Sequence, residues 1–366
     1  MNYGRKKIIT MLILVVLFPG FTFLADKTTS TDEKVLGFNA DDLVVRTPGG
    51  LILLFPFENG TFAGSRAGKR VGHNWHGFEW FNYLIGNWTG NGIRDIILQK
   101  NNGHLYLFAM EKETFYVRGS GRKVKENFSF NYTHYLVGNW TDNGTDDLLV
   151  RTPGGVMLLF PFENGTFVGP KAGKPVGHNW NFTHYLVGNW TGKKTPDVMV
   201  RTAKGDLYLY PFDHETFAAG KKVGENFHYT HYFVSNWTGG GTDDLLVRDA
   251  AGDMRLFPFN NKTFAAAGAG KRVGGGWNYT HYFVGHWTGK DTPGMIVRKA
   301  NGDLLLYPFT NQTFNVPGAG RKVGEGFHYT HYFVGQWTDD LGPAIPVFDF
   351  NDWAPNFPAA QNQESQ

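Results

Sequence analysis

Thr133 to Arg151 reads THYLVGNWTDNGTDDLLVR. The stretch opens on an aromatic and β-branched run (HYLVG), passes through Asn, Asp and Gly, and ends in a second apolar run (DLLVR). That pattern predicts two short strands joined by a tight loop, because Gly and Asn supply the turn and neither apolar run is long enough for a helix. Variants of it return along the whole chain, so its reading sets the fold.

The Trp-Thr pair recurs at Trp88, Trp140, Trp190, Trp237, Trp287 and Trp337, spaced by 52, 50, 47, 50 and 50 residues. After each of the first five comes a strand-like run: DIILQ (Asp95–Gln99), DLLVR (Asp147–Arg151), DVMVR (Asp197–Arg201), DLLVR (Asp244–Arg248) and GMIVR (Gly294–Arg298). A small turn (PGG, KGD, AGD or NGD) leads to another run such as VMLLFPF or DLYLYPF, then to an ENGTF-type turn and a GKxVG segment. Asn-Gly suits a two-residue hairpin turn. Pro56, Pro161, Pro211, Pro258 and Pro308 close the third run and cannot donate to a ladder, so each should mark a bulge or strand end. Four strands in a unit of about 50 residues is the signature of a β-propeller blade.

The two ends set the blade number. DDLVVR (Asp41–Arg46) lacks a preceding HYLVGNW-type strand, and HYFVGQW (His331–Trp337) lacks a following DLLVR. The C-terminal strand is therefore expected to complete the N-terminal blade, giving an all-β, six-bladed propeller over residues 41–350. Such closure removes exposed sheet edges. A seventh partial blade from AIPVFDF (344–350) is the less economical alternative, and the tail 351–366 is expected to be disordered. The 48 glycines and 16% aromatic content fit many short strands and tight turns.

Ahead of the repeats, Arg5-Lys6-Lys7 precedes IITMLILVVLF and Pro19-Gly20. A basic flank, an apolar core and a helix breaker make residues 1–25 a secretory signal. Ala25 is small but Phe23 is not, and Ile8 to Ala25 is just long enough to span a bilayer, so a signal anchor is the alternative. Either form exports the rest, with residues 26–40 as a linker, to the medium or the outer cell surface. Membrane contact is expected only through that anchor. Without the leader the formal charge falls from +3 to zero and the remaining basic residues are spread out, which argues against nucleic acid as a partner. The absence of cysteine excludes disulfides, thiol catalysis and cysteine-based zinc sites.

The Trp-Thr loops resemble FG-GAP and VCBS-type propeller repeats, whose D-x-[DN]-x-D-G-x-x-D loops often hold calcium. The matching positions are Asn139, Thr141, Asn143, Gly144 and Asp147; Asn87, Thr89, Asn91 and Asp95; Asn189, Thr191, Lys193 and Asp197; and Asn236, Thr238, Gly240 and Asp244. The resemblance implies the fold. Calcium wants six to eight oxygens with substantial negative charge, and one matched Asp per loop leaves room for weak binding at most, so no cofactor is expected. A shorter stretch, GGGWNYTHYFVG (Gly274–Gly285), looks like the tachylectin-type lectin propellers, whose repeats each contribute to a sugar site. That resemblance implies glycans or glycoconjugates as partners.

The residues at issue recur. After each Val-Gly-x-x (Val-Lys-x-x in the second unit) stands an aromatic: Trp75, Phe128, Trp180, Phe227, Trp277 and Phe327. His134, His184, His231, His281 and His331 follow in the next strand, with Asn82 in their place in one unit. An aromatic face can pack on the C–H face of a sugar while polar neighbours meet its hydroxyls, and weak repeated sites gain avidity. The competing reading makes the rings blade packing and the histidines structural. The Lys/Arg pairs Lys69-Arg70, Lys221-Lys222, Lys271-Arg272 and Arg321-Lys322 read as solvated strand faces, with acidic glycans the alternative. Arg46, Arg151, Arg201, Arg248 and Arg298 read as turn anchors, with Gln99 the exception.

Thirteen Asn-x-Ser/Thr sequons follow from the repeats. Those in Asn-Trp-Thr should be hidden by a core tryptophan. Asn59, Asn164, Asn261 and Asn311, in the ENGTF-type turns, are the expected glycosylation sites of a glycoprotein. No nucleophile elbow, HExxH, P-loop or isolated acid pair breaks the repeat, and the only asymmetric acids, Asp339, Asp340, Asp349 and Asp352, lie at the C-terminal end. The chain is therefore read as a non-catalytic, lectin-like binder. A surface adhesion or scaffold propeller binding a protein partner is the alternative.

Overall fold

The computed structural model describes residues 40–338 apart from 63–67, 74, 76–81, 116–120, 130, 260–262, 265–268, 289–291 and 317, with the backbone alone of residues 8–18 and 21–29. Asn261, the C-terminal acids, AIPVFDF and the tail lie outside the described residues.

The opening stretch forms the first two strands of blade 3, His134–Gly138 and Asp147–Arg151, paired antiparallel with His134 opposite Arg151 and Gly138 opposite Asp147. Met157–Phe160 pairs next, and Lys174–Gly177 forms the outer edge after a register slip between Met157 and Leu158. All six blades repeat this order and this slip. The inner strands of blades 2 and 4 to 6 are Tyr83–Gly86, His184–Gly188, His231–Ser235 and His281–Gly285. The five prolines sit directly after third strands that end at Phe55, Phe160, Tyr210, Phe257 and Tyr307, where a missing N–H costs no ladder bond.

Blade 1 is built from both ends of the repeat array. His331–Gly335 is its inner strand and pairs with Asp42–Arg46, Asp42 lying opposite Gly335 and Arg46 opposite His331. The propeller is thus six-bladed and closed by its C-terminal strand. Asp42 fastens the closure by accepting hydrogen bonds from Trp337 N (3.2 Å), Thr338 N (3.1 Å) and Thr338 Oγ1 (2.9 Å).

The second strands are buried on both faces, so DLLVR and its variants read as continuous apolar runs rather than alternating ones. The Trp-Thr tryptophans are fully buried and join neighbouring blades. Trp88 of blade 2 packs edge-on against Phe162 and Phe167 of blade 3, with ring centroids 5.3 and 5.8 Å apart. The same contact runs round the ring to Trp287 of blade 6 against Phe57 and Phe62 of blade 1 (5.6 and 6.0 Å). Each such burial is worth about 1.5–3 kcal/mol.

In the leader, Ile8–Phe18 and Phe21–Thr29 form an antiparallel hairpin whose Ile13 pairs with Val234 in the inner strand of blade 5. Among the described residues, no helix is long and apolar enough to cross a membrane.

Candidate functional site

Strand order gives the propeller two unlike faces. The Trp-Thr loops and the ENGTF-type hairpins emerge on one. The turns between second and third strands and the blade-to-blade connections emerge on the other. The six aromatics and five histidines named from sequence all belong to this second face.

Their rings are committed to packing. Trp75, Phe128, Trp180, Phe227, Trp277 and Phe327 are all buried. Trp180 lies 4.6 Å from both Tyr210 and Phe217, and Trp277 lies 4.5 and 4.7 Å from Tyr307 and Phe314, centroid to centroid. Phe227 and Phe327 make the matching contacts with Phe257 (4.9 Å) and Phe55 (4.8 Å). No face of these rings is open to a sugar, so the expectation of aromatic stacking at these six positions is replaced by blade packing.

The histidines line up at the start of the inner strands. His134 Nδ1 meets its own Thr133 hydroxyl at 3.0 Å, and its ring packs 4.3 Å from Tyr185 of the next blade. His184, His231, His281 and His331 repeat this against Tyr232, Tyr282, Tyr332 and Tyr83 at 4.7–5.0 Å. Burial, then the neighbouring arginine, pushes His134, His184, His281 and His331 down to about 4. They are neutral, partnered and half-covered at ordinary pH.

The repeated arginines anchor the connections. Arg151 donates through Nε to Trp180 O, through Nη1 to Thr133 Oγ1 (2.8 Å) and through Nη2 to Asn181 Oδ1 (2.7 Å). Arg201, Arg248 and Arg298 do the same. Blade 2 keeps the function with different residues: Gln99 Nε2 reaches Phe128 O and Ser129 O (3.1 and 3.2 Å), while its Oε1 accepts from Asn82 (3.0 Å).

On the loop face, Asp147 is the hub of the opening stretch. Its Oδ2 accepts from Thr141 N and Oγ1 (2.8 and 2.9 Å), and its Oδ1 accepts from Phe162 N at 2.7 Å. Asp42, Asp95, Asp197 and Asp244 also accept this hairpin N–H. Burial raises these carboxyls, Asp42 and Asp147 to about 7 and Asp95 to about 6. Asn143 Oδ1 is taken by Thr145, which leaves the buried, unpartnered Oδ1 of Asn139 as the loop's spare oxygen. One neutral oxygen does not fit a calcium ion. Among the described residues no group of three or more His, Asp or Glu is placed to hold a metal.

The same face carries a groove of about 570 Å³ in the seam between blades 2 and 3. Trp88 and Leu107 line it but are buried, 1% and 3% exposed. Thr89, Asn143 and Thr145 come from the two Trp-Thr loops, and Glu163, Asn164 and Gly165 from the hairpin of blade 3. Arg122, the first residue of the outer strand of blade 2, closes the rim. Of the sugar-binding and glycosylation residues named from sequence, only Asn164 lies here, beside Thr89 and Asn143 of the calcium-like loops. The hairpin residues escaped notice because they vary between units (ENGTF, EKETF, DHETF), and that variation is the one signal that could have found them.

The predicted acceptors Asn59, Asn164 and Asn311 stand exposed at hairpin tips in left-handed conformation (φ 50, 49 and 52°). The asparagines of the Asn-Trp-Thr sequons are buried or half-buried instead.

No protein-family model matches the chain, and no curated protein sequence matches it. The likeness to FG-GAP and VCBS-type repeats thus stays one of loop sequence. Among solved structures, the chain is similar to a lectin of Agrocybe aegerita described as recognising non-reducing terminal N-acetylglucosamine, with TM-score 0.56, 15% identity, 90% of this chain and 96% of that one covered. It is also similar to the BP39L lectin of Burkholderia pseudomallei (TM-score 0.45, 11% identity, 82% and 91% covered). A third is BBS1N in complex with ARL6DN (TM-score 0.42, 11% identity, 80% and 85% covered). At these identities the first shows a shared propeller fold.

Proposed function

We propose that the protein is an exported, non-catalytic, carbohydrate-binding propeller that takes glycans in its blade seams on the loop face. The observation that carries this reading is the groove between blades 2 and 3. Carboxylate, amide, hydroxyl and guanidinium groups converge on it, and of these Arg122 and Glu163 make no ion pair with each other or with another described residue. A sugar's hydroxyls are met by donors and acceptors of these kinds. The full-length likeness to a lectin propeller supports the reading at the level of fold. Related grooves in other seams would add avidity on a glycan-bearing surface.

Glycosylation bears directly on the site. Asn164 is both a sequon acceptor and a wall of the groove, so a glycan attached there would fill it. The test is therefore made on protein from a host that does not glycosylate. On a glycan array, wild type is expected to bind, and Arg122→Ala with Asn164→Gly to lose that binding at least tenfold while keeping its urea midpoint. Binding of no glycan at all would overturn the reading.

A further inference from the structure

The seams are not alike. In each of the five described ENGTF-type hairpins both central residues are left-handed: Asn59-Gly60, Lys112-Glu113, Asn164-Gly165, His214-Glu215 and Asn311-Gln312 all have φ between 48 and 79°. That geometry favours glycine at the second position, and a residue with a side chain there costs about 1–2 kcal/mol. Glu113 and Glu215 nonetheless occupy it, and both carboxylates cross the seam to a lysine of the preceding blade's outer strand. Lys69 meets Glu113 at 2.7 Å, and Lys174 meets Glu215 at 2.6 Å. In seam 3/4 a further pair, Lys193 with Asp213 at 2.8 Å, fills the position that Asn143 and Glu163 hold in seam 2/3.

Where the second hairpin residue is glycine, the facing cation is arginine. Arg122 lies over Gly165 so closely that a Cβ there would collide with its guanidinium. Arg321 lies over Gly60, where a Cβ would come within 2.7 Å of Nη2, and donates to Gly60 O at 2.6 Å. Lysine with glutamate thus stands in seams 1/2 and 3/4, and arginine with glycine in seams 2/3 and 6/1, while Lys271 of blade 5, which precedes the Asn311-Gln312 hairpin, makes no ion pair among the described residues. In seams 1/2 and 3/4 the chain supplies its own carboxylate. In the arginine seams that carboxylate is missing, and Arg122 stands at the mouth of the groove with no anionic partner among the described residues.

We infer that the groove between blades 2 and 3 binds a sugar that bears a carboxylate, which supplies to Arg122 the counter-charge that Glu113 and Glu215 give to lysine elsewhere. The inference rests on the glycan-binding reading above and names its ligand class. A planar guanidinium offers a carboxylate two parallel N–H donors, which a lysine cannot. Glu163 lines the same groove and opposes an anion, so its removal should tighten binding of an acidic sugar while a neutral sugar loses a hydrogen-bond acceptor.

The experiment is calorimetry on unglycosylated protein with soluble, monovalent probes, so that avidity does not enter. The probes are a glucuronate-terminated disaccharide, its carboxamide, its glucose-terminated counterpart and a sulfated glucose disaccharide. The acid is expected to bind at least tenfold more tightly than the carboxamide. Arg122→Gln should remove that preference, as loss of a charge-assisted hydrogen bond predicts. Arg122→Lys with Gly165→Glu, which copies the lysine seams, should abolish binding at seam 2/3, and Glu163→Gln should favour the acid several-fold. Equal binding of acid and carboxamide would overturn the inference and leave the glycan reading standing. So would a preference that survives Arg122→Gln, or equal binding of the sulfated probe. Binding of none of the probes would overturn both.

Discussion

At the scale of single residues, burial decides what a side chain is free to do. Trp277 carries the aromatic signature that most suggests a sugar platform, yet its ring is enclosed by Tyr279, Tyr307 and Phe314 and its carbonyl accepts from Arg248 and from Tyr282 at 2.8 Å. Trp277→Ala should therefore act on stability, costing about 3–5 kcal/mol through the lost contacts and the cavity left behind. Urea denaturation followed by circular dichroism checks this. An unchanged midpoint with weakened glycan binding would restore the ring to a binding role. Asp147 makes the same point from the polar side. Its two oxygens satisfy three donors from two segments, so it is a structural hub where a loop of the calcium-binding pattern would present a ligand. Blade 6, with Gly294 in its place, keeps its four strands, so one hub is dispensable in a ring of six.

At the scale of elements, the ENGTF-type hairpin both joins blades and distinguishes the seams. Its threonine donates across four seams, as Thr166 does to Val124 O at 2.9 Å and Thr61 to Val323 O at 3.1 Å. The two positions before it vary, and there the energies nearly cancel. Glu215→Gly would relieve left-handed strain of about 1 kcal/mol and lose an exposed ion pair worth roughly 0–1 kcal/mol. Its urea midpoint should therefore stay close to wild type, and a loss above about 2 kcal/mol would show that the pair does more than bridge a surface. The strands, prolines and hairpin turns of this element were legible in the sequence because Gly, Pro and apolar runs act locally. The groove was not, because Arg122 and Gly165 are 43 positions apart and meet only across a seam. The aromatics misled for a related reason. A tryptophan has the same spacing in sequence whether its ring faces solvent or the next blade, and only the ring of blades decides which.

At the scale of the whole molecule, closure turns local repeats into one cooperative body, and its buried charges set how that body responds to acid. Two sets of groups oppose each other. Burial raises Asp42 and Asp147 to about 7 and Asp95 to about 6, from an ordinary 3.8, and raises Asp197 and Asp244 as well. Between those limits the folded chain holds protons that the unfolded chain releases, so their contribution is fully present below 3.8 and is lost as pH rises towards 7. The histidines run the other way. His134, His184, His281 and His331 fall from 6.5 to about 4, so their contribution is present above 6.5 and is lost as pH falls through 4. The two slopes offset one another across the window they share, and the urea midpoint of the wild type should change little between about pH 7 and 4.5. Removing one set exposes the other. Blade 2 already carries Asn82 where the others carry histidine, so His134, His184, His281 and His331 can each be replaced by Asn. In the combined variant the carboxyls face only His231, which burial also lowers, and its midpoint should rise as the pH is lowered over the same range. A midpoint that instead stayed as flat as in wild type, or fell with acid, would show that the histidines do not offset the carboxyls. The groove between blades 2 and 3 lies on the opposite face from these histidines, so its binding should survive the four substitutions unchanged.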